Sequence, residues 1–182
     1  MSETAGVDLL ISIQEVEGLG QITLKGEIGS DDVHVAVDEA IGLQVPEALG
    51  VSHGDGARAV WMAPDELLLI ASRGEVAPGL EKIANQLDGQ HHMALDVSDA
   101  RTVFRLTGAR VGEVLAKGAP CDCSDHGFPP GTARRTHMGG LAVGIWRVDA
   151  ETWEIMCFRS YAHHLKGWLE QTSIAGSEVY PA

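Results

Sequence analysis

Hydrophobic positions in this chain change period several times, and each change predicts an element. Leu9, Ile11 and Ile13 alternate within residues 7–16, as on a strand with one buried face. Residues 21–28 alternate again through Ile22 and Leu24 after the turn Glu17-Gly18-Leu19-Gly20. From Val33 the period becomes helical, with Val33, Ala36, Val37, Ala40 and Ile41 on one face. Ser30 is placed to cap that helix, Asp31 and Asp32 suit its positive end, and Gly42 closes it. Residues 49–56 read as a Gly-rich, mobile loop. Residues 57–71 predict a hairpin turning at Pro64-Asp65, whose second arm, LLLIA, is apolar on both faces and therefore central in its sheet. Pro78 suits the first turn of a helix that points Leu80, Ile83, Ala84 and Leu87 inward and ends at Gly89. Residues 92–97 form the next strand.

The second half repeats this plan. Arg101–Thr107 is a strand with Phe104 and Leu106 on one face and Val103 and Arg105 on the other. A helix over 109–117 carries Val111, Val114 and Leu115, with Gly118 as its left-handed terminator and Pro120 blocking continuation. After a long loop come strands near 132–137, 141–148 and 152–158. The last helix is capped by Ser160 and places Tyr161, Leu165, Trp168, Leu169 and Thr172 at helical spacing. ITLKGEIG…IGLQVP is echoed by FRLTGARV…KGAP, and the hairpin at Trp61 by that at Trp146. These readings predict an α+β protein of two fused ferredoxin-like α/β halves with mostly antiparallel sheets. The halves are residues 7–98 and 99–175 of a single domain spanning 1–182, related by internal duplication.

Charge alters the picture of partners. Residues 1–100 hold 18 acidic and 4 basic side chains, residues 101–182 hold 8 and 9, and the whole chain carries −13. A nucleic-acid binder shows a basic footprint, so that class is disfavoured. No apolar run is long enough for a membrane span, and the N-terminus has neither the basic nor the apolar region of a signal peptide, which predicts a cytoplasmic protein or one imported with a partner. Three cysteines with no spaced framework read as reduced thiols.

Candidate chemistry is sparse. Cys121, Cys123, Asp125 and His126 form the one cluster suggestive of a metal, but zinc sites use two spaced pairs and an extended loop points these thiols apart. The neighbours His91-His92 and His163-His164 make no chelate. No nucleophile elbow, zinc-protease helix or phosphate-binding Gly loop occurs. The Gly-rich loop lacks dinucleotide-site spacing. Catalytic, cofactor-binding and metal-binding residues are therefore read as none. Arg101 and Arg105 share a strand face and Arg159 ends the last strand; with Tyr161 they are the candidates for an interface with an acidic partner. Arg134 and Arg135 read as partners of the chain's own acids.

Two long segments, DVSDARTVFRLTGARVGEVLAKGAPCDCSDHGFPPGTARRT and FRSYAHHLKGWLEQ, resemble the gamma subunit family of heterotetrameric sarcosine oxidase. The resemblance runs through Asp96, Val97, Ser98, Arg101, Thr102, Gly108, Leu115, Gly118, Pro120, Phe128, Gly131 and Thr136, then Arg159–Tyr161, Ala162 and Trp168. WMAPDELLL is similar to the family's Trp-Leu-Gly-Pro-Asp-Glu-Trp-Leu-Leu, departing at Met62, Ala63 and Leu67. The match covers residues 58–172, and residues 1–56 match poorly. The resemblance implies a fold of the folate-binding aminomethyltransferase type. It also implies a place in an enzyme that oxidatively demethylates sarcosine to glycine, reducing oxygen to hydrogen peroxide and passing the one-carbon unit to tetrahydrofolate. In that family FAD, FMN, NAD, zinc and tetrahydrofolate sit on the alpha, beta and delta subunits, and the gamma chain binds no cofactor and carries no catalytic residue. The acidic catalytic position and folate signature of aminomethyltransferases are not evident here, nor is the Lys-Gly-Cys motif of the iron–sulfur assembly relatives. The alternative readings are a free-standing folate-binding or aminomethyl-transferring protein of the same fold, and a homodimer that keeps only the fold.

Overall fold

The computed structural model describes residues 8–179; the strand start expected at Val7 lies outside them. Among these residues ten strands form two five-stranded antiparallel sheets. The first sheet has the order β3-β4-β5-β2-β6, with β2 at Leu19–Lys25, β3 at Val51–Gly54, β4 at Ala57–Ala63, β5 at Glu66–Ser72 and β6 at Met93–Asp96. The second has the order β1-β7-β10-β9-β8, with β1 at Ser12–Glu15, β7 at Arg101–Thr107, β8 at Ala133–Met138, β9 at Leu141–Arg147 and β10 at Thr152–Phe158. Helices α1 (Asp31–Ile41) and α2 (Val76–Gln86) cover the outer face of the first sheet. Helices α3 (Val111–Ala116) and α4 (Ala162–Thr172) cover that of the second.

Strand alternation sorts the core into three apolar layers. Ile22, Leu24, Leu67 and Leu69 meet α1 and α2. Val60, Leu68 and Ile70 turn the other way and meet Val103, Trp146 and Met156 between the sheets. Phe104, Leu106, Ile145 and Ile155 face α3 and α4. LLLIA is buried on both faces in the middle of its sheet because each face has its own layer to fill.

The two sheets share one strand order. Laying β2, β3, β4 and β5 on β7, β8, β9 and β10 puts β6 in correspondence with β1. Thus β1, which belongs to the first half by sequence, completes the second sheet by pairing Ser12 with Thr107 through Glu15 with Phe104. At the other edge the sheets are stitched together: Val51 N–H donates to Gly131 O at 2.9 Å and Ala133 N–H to Leu49 O at 2.7 Å. Leu49 takes the left-handed conformation there, φ 62°.

Several local expectations are corrected. The Gly-rich segment at 49–56 holds β3, because it pairs with β4 from Val51–Val60 to Gly54–Ala57. The α1 cap is as expected, Ser30 Oγ accepting from Val33 N–H at 3.3 Å, a contact worth ~1 kcal/mol. Ala84 is exposed, and Val76 and Gly79 take the inner face of α2 instead. Gly118 is not left-handed; it is small because a Cβ would lie 2.4 Å from Trp168 Cζ2. Ser160 caps nothing: a 3-10 turn, Arg159–Tyr161, leads into α4 with no side-chain cap, and Tyr161 is exposed. Trp61 packs on the helix side of its sheet and Trp146 on the inner side of the other, so the two tryptophans are not equivalent positions.

Candidate functional site

The inner layer contains a charge cluster that the sequence reading passed over. Glu154 of β10 is fully buried. Arg58 of β4 donates Nε–H to its Oε2 at 2.7 Å and also reaches Oε1. Arg105 of β7 donates to Oε1 at 2.9 and 3.2 Å, and Trp146 Nε1–H to Oε2 at 2.7 Å. Burial works to raise the Glu154 pKa, but Arg58, Arg105 and Trp146 together hold it below the usual carboxylate range. Every donor converges on one carboxylate, so the cluster is a tie between the sheets. Its one legible signal is a charge in the middle of an apolar strand, Glu154 within TWEIMCF and Arg58 within ARAVWMA.

Of the four interface candidates, Arg105 is therefore committed to Glu154. Arg101 is half-buried at the start of β7, and its Nη1 donates to Thr23 Oγ1 at 3.4 Å. Arg159 is exposed; its Nε–H donates to Asp99 O at 3.0 Å and its backbone N–H to Ala100 O at 2.9 Å. Tyr161 lies exposed in the turn that Arg159 opens.

The cysteine loop differs from expectation. Cys121 and Cys123 point to the same side, their Sγ atoms 3.8 Å apart. Burial pushes the Cys123 thiol up to about 12, and burial likewise pushes Cys157 to about 11. No group of three or more His, Cys, Asp or Glu suited to a metal occurs among the described residues. His91, His163 and His164 are exposed and His92 is half-buried, its Nδ1 3.1 Å from Gln90 O. Arg147, unremarked in sequence, anchors the loop. It is buried, donates to the carbonyls of Phe128, Asp149 and Ala150 at 3.0, 3.0 and 2.7 Å, and lies 4.9 Å over the Trp153 ring. Among the described residues Arg134 and Arg135 form no ion pair with an acid: Arg134 reaches carbonyls and sits over Phe128, and Arg135 reaches Met62 O at 3.4 Å.

Two antiparallel sheets packed inside four helices define a chain of the folate-binding aminomethyltransferase type of fold. Aminomethyltransferase T of the glycine cleavage system from Bartonella henselae shares that fold, with a TM-score of 0.61 over 90% of this chain and 46% of that one at 14% identity. A chain of heterotetrameric sarcosine oxidase from Corynebacterium sp. U-96, solved in complex with pyrrole 2-carboxylate, is much nearer. Its TM-score is 0.82 at 29% identity, over 94% of this chain and 88% of that one. The sarcosine oxidase subunit gamma of Corynebacterium sp. (strain U-96) is 31% identical over 170 residues, 92% of this chain and 81% of that one. That of Arthrobacter sp is 29% identical over 168 residues. The family model for the sarcosine oxidase gamma subunit matches residues 25–175. This chain belongs to the sarcosine oxidase gamma subunit family. The match begins well before residue 58, so it takes in β2's end, α1 and β3, which the sequence motifs left out.

Proposed function

We propose that the chain is the non-catalytic gamma subunit of a heterotetrameric sarcosine oxidase, assembling with alpha, beta and delta subunits. The enzyme converts sarcosine to glycine and hands the one-carbon unit to tetrahydrofolate. FAD, FMN, NAD, zinc and tetrahydrofolate belong to the other subunits, and the complex works in the cytoplasm. The observation that carries the reading is the family match across residues 25–175. The charge cluster supports a structural rather than catalytic role, since its carboxylate is closed off between the sheets and fully engaged. A free-standing aminomethyl transferase would need an acid open to substrate at that place. No described helix is long and apolar enough to cross a membrane. The same proposal takes residues 7–98 and 99–175 as duplicated halves, on the strength of their common strand order.

The test is to tag the chain in its native cell, purify gently, and record the companion chains and the flavin absorbance. A yellow complex with three further chains is the expected result. A colourless chain recovered alone overturns the proposal.

A further inference from the structure

Around the Glu154 cluster the inner faces of the sheets are filled by apolar side chains, except at one end. There, alternation sends four further residues inward. Phe158 lies two beyond the inward Met156 and is the cross-strand partner of Arg101. Arg101 lies two before the inward Val103, and Arg135 two after the inward Ala133. Leu95 is the cross-strand partner of Thr23, whose hydroxyl accepts from Arg101. Met62, Arg101, Arg135, Met156 and Phe158 border a common cleft. Leu95 and Phe158 are each 51% exposed although they occupy inward positions. Tyr161, 48% exposed, follows two residues after the exposed Arg159.

Two cations, Arg101 and Arg135, border the cleft at this end. The chain has 26 acidic and 13 Lys and Arg side chains. Even so, among the described residues no carboxylate lies within ion-pair distance of Arg101, Arg135 or Arg159. A guanidinium offers five N–H donors, and the single side-chain hydrogen bond of Arg101 is the long one to Thr23. Burial lowers the Arg101 pKa and the like charge of Arg135 lowers it further, with Glu66 as the partial counterweight. A half-desolvated cation beside a second one, flanked by exposed aliphatic and aromatic side chains, is the composition of a protein interface that awaits its anion.

We propose that this open end of the sheet sandwich docks another subunit of the complex. That subunit places an acidic side chain against Arg101 and Arg135 and an apolar side chain against Leu95 and Phe158. The inference rests on the heterotetramer reading and adds to it the surface and the chemistry of the contact.

The experiment co-expresses the full complex with a tag on this chain and measures recovery of the other subunits. The variants are Arg101→Glu, Phe158→Asp and, as a control on the α2 surface, Lys82→Glu. Recovery is expected to fall at least tenfold for Arg101→Glu and for Phe158→Asp and to hold for Lys82→Glu. Phe158→Asp keeps the test sound if Arg101→Glu misfolds, because Phe158 is solvent-exposed in the chain itself. Changing one acidic residue of the partner to Lys should restore assembly with Arg101→Glu. Wild-type recovery with both variants overturns the docking surface while leaving the subunit assignment standing. If in addition citrate raises the Tm of the wild-type chain but not of Arg101→Glu, a free carboxylate and not a partner takes the place. A wild-type chain that brings down no subunit at all overturns the heterotetramer reading, and the docking surface falls with it.

Discussion

Arg58 and Glu154, 96 residues apart in the chain, meet through Nε–H to Oε2 at 2.7 Å and so lock one sheet to the other. Their side chains are 7% and 0% exposed, which makes this a buried ion pair. Losing Glu154 leaves the Arg58 charge stranded in the core, whereas losing Arg58 leaves Glu154 with Arg105 and Trp146. Glu154→Leu is therefore expected to cost ~3–5 kcal/mol, and Arg58→Met less, because the carboxylate that remains keeps an Arg partner. Urea unfolding of the two variants checks the order.

The same carboxylate sets an acid limit. Its folded pKa lies below that of an unfolded glutamate, ~4.3, so its stabilisation is present in full above that pH and is lost as pH falls through the folded value. The urea midpoint of the wild type should drop more steeply below about pH 4.3 than that of the Arg58→Met, Glu154→Leu variant. Parallel slopes would show that Glu154 is not the group responsible.

Two helical glycines should respond in opposite directions. A Cβ on Gly112 would lie 2.5 Å from Cys123 O, so Gly112→Ala is expected to destabilise by ~1–3 kcal/mol. Gly167 in α4 has nothing within 4 Å of its Cβ position, and Gly167→Ala should stabilise by ~0.5–1 kcal/mol through the unfolded chain. Thermal melts of both variants decide the matter.

Thiol labelling at pH 8 should find one accessible cysteine. Cys121 is half-buried, whereas Cys123 and Cys157 are buried with pKa values raised to about 12 and about 11. Thiolate is the reactive form, so Cys123 and Cys157 should react in the folded protein only at the rate at which it opens. Mass spectrometry after a short pulse of iodoacetamide locates the label; rapid labelling of Cys123 would contradict the packing.

What could be read from the sequence was what local chemistry dictates. Ser30 caps α1, and the LLLIA arm is central because its residues are apolar at every position. What escaped reading depends on distant partners. Segment 51–54 becomes a strand only because β4 and the 131–133 backbone lie on either side of it. Gly118 is small for the sake of Trp168, fifty positions on, and not for a turn. Arg101 and Arg159 were legible from their places at strand ends, and the family resemblance runs through both. The Glu154 cluster stayed hidden because Arg58, Arg105 and Trp146 reach it from three different strands.

The placement of β1 has a consequence for how the protein is made. Its partner, residues 104–107, leaves the ribosome some ninety positions later. Sheet β3-β4-β5-β2-β6 can therefore form while the nascent chain is still growing, whereas β1 must wait for β7 before it can pair. In that interval the N-terminal strand is an unpaired edge within reach of other nascent chains and chaperones. Moving residues 8–16 to follow α4, where the bridge between Leu9 and Ile174 already brings the two ends together, would remove that wait without altering the finished sheet.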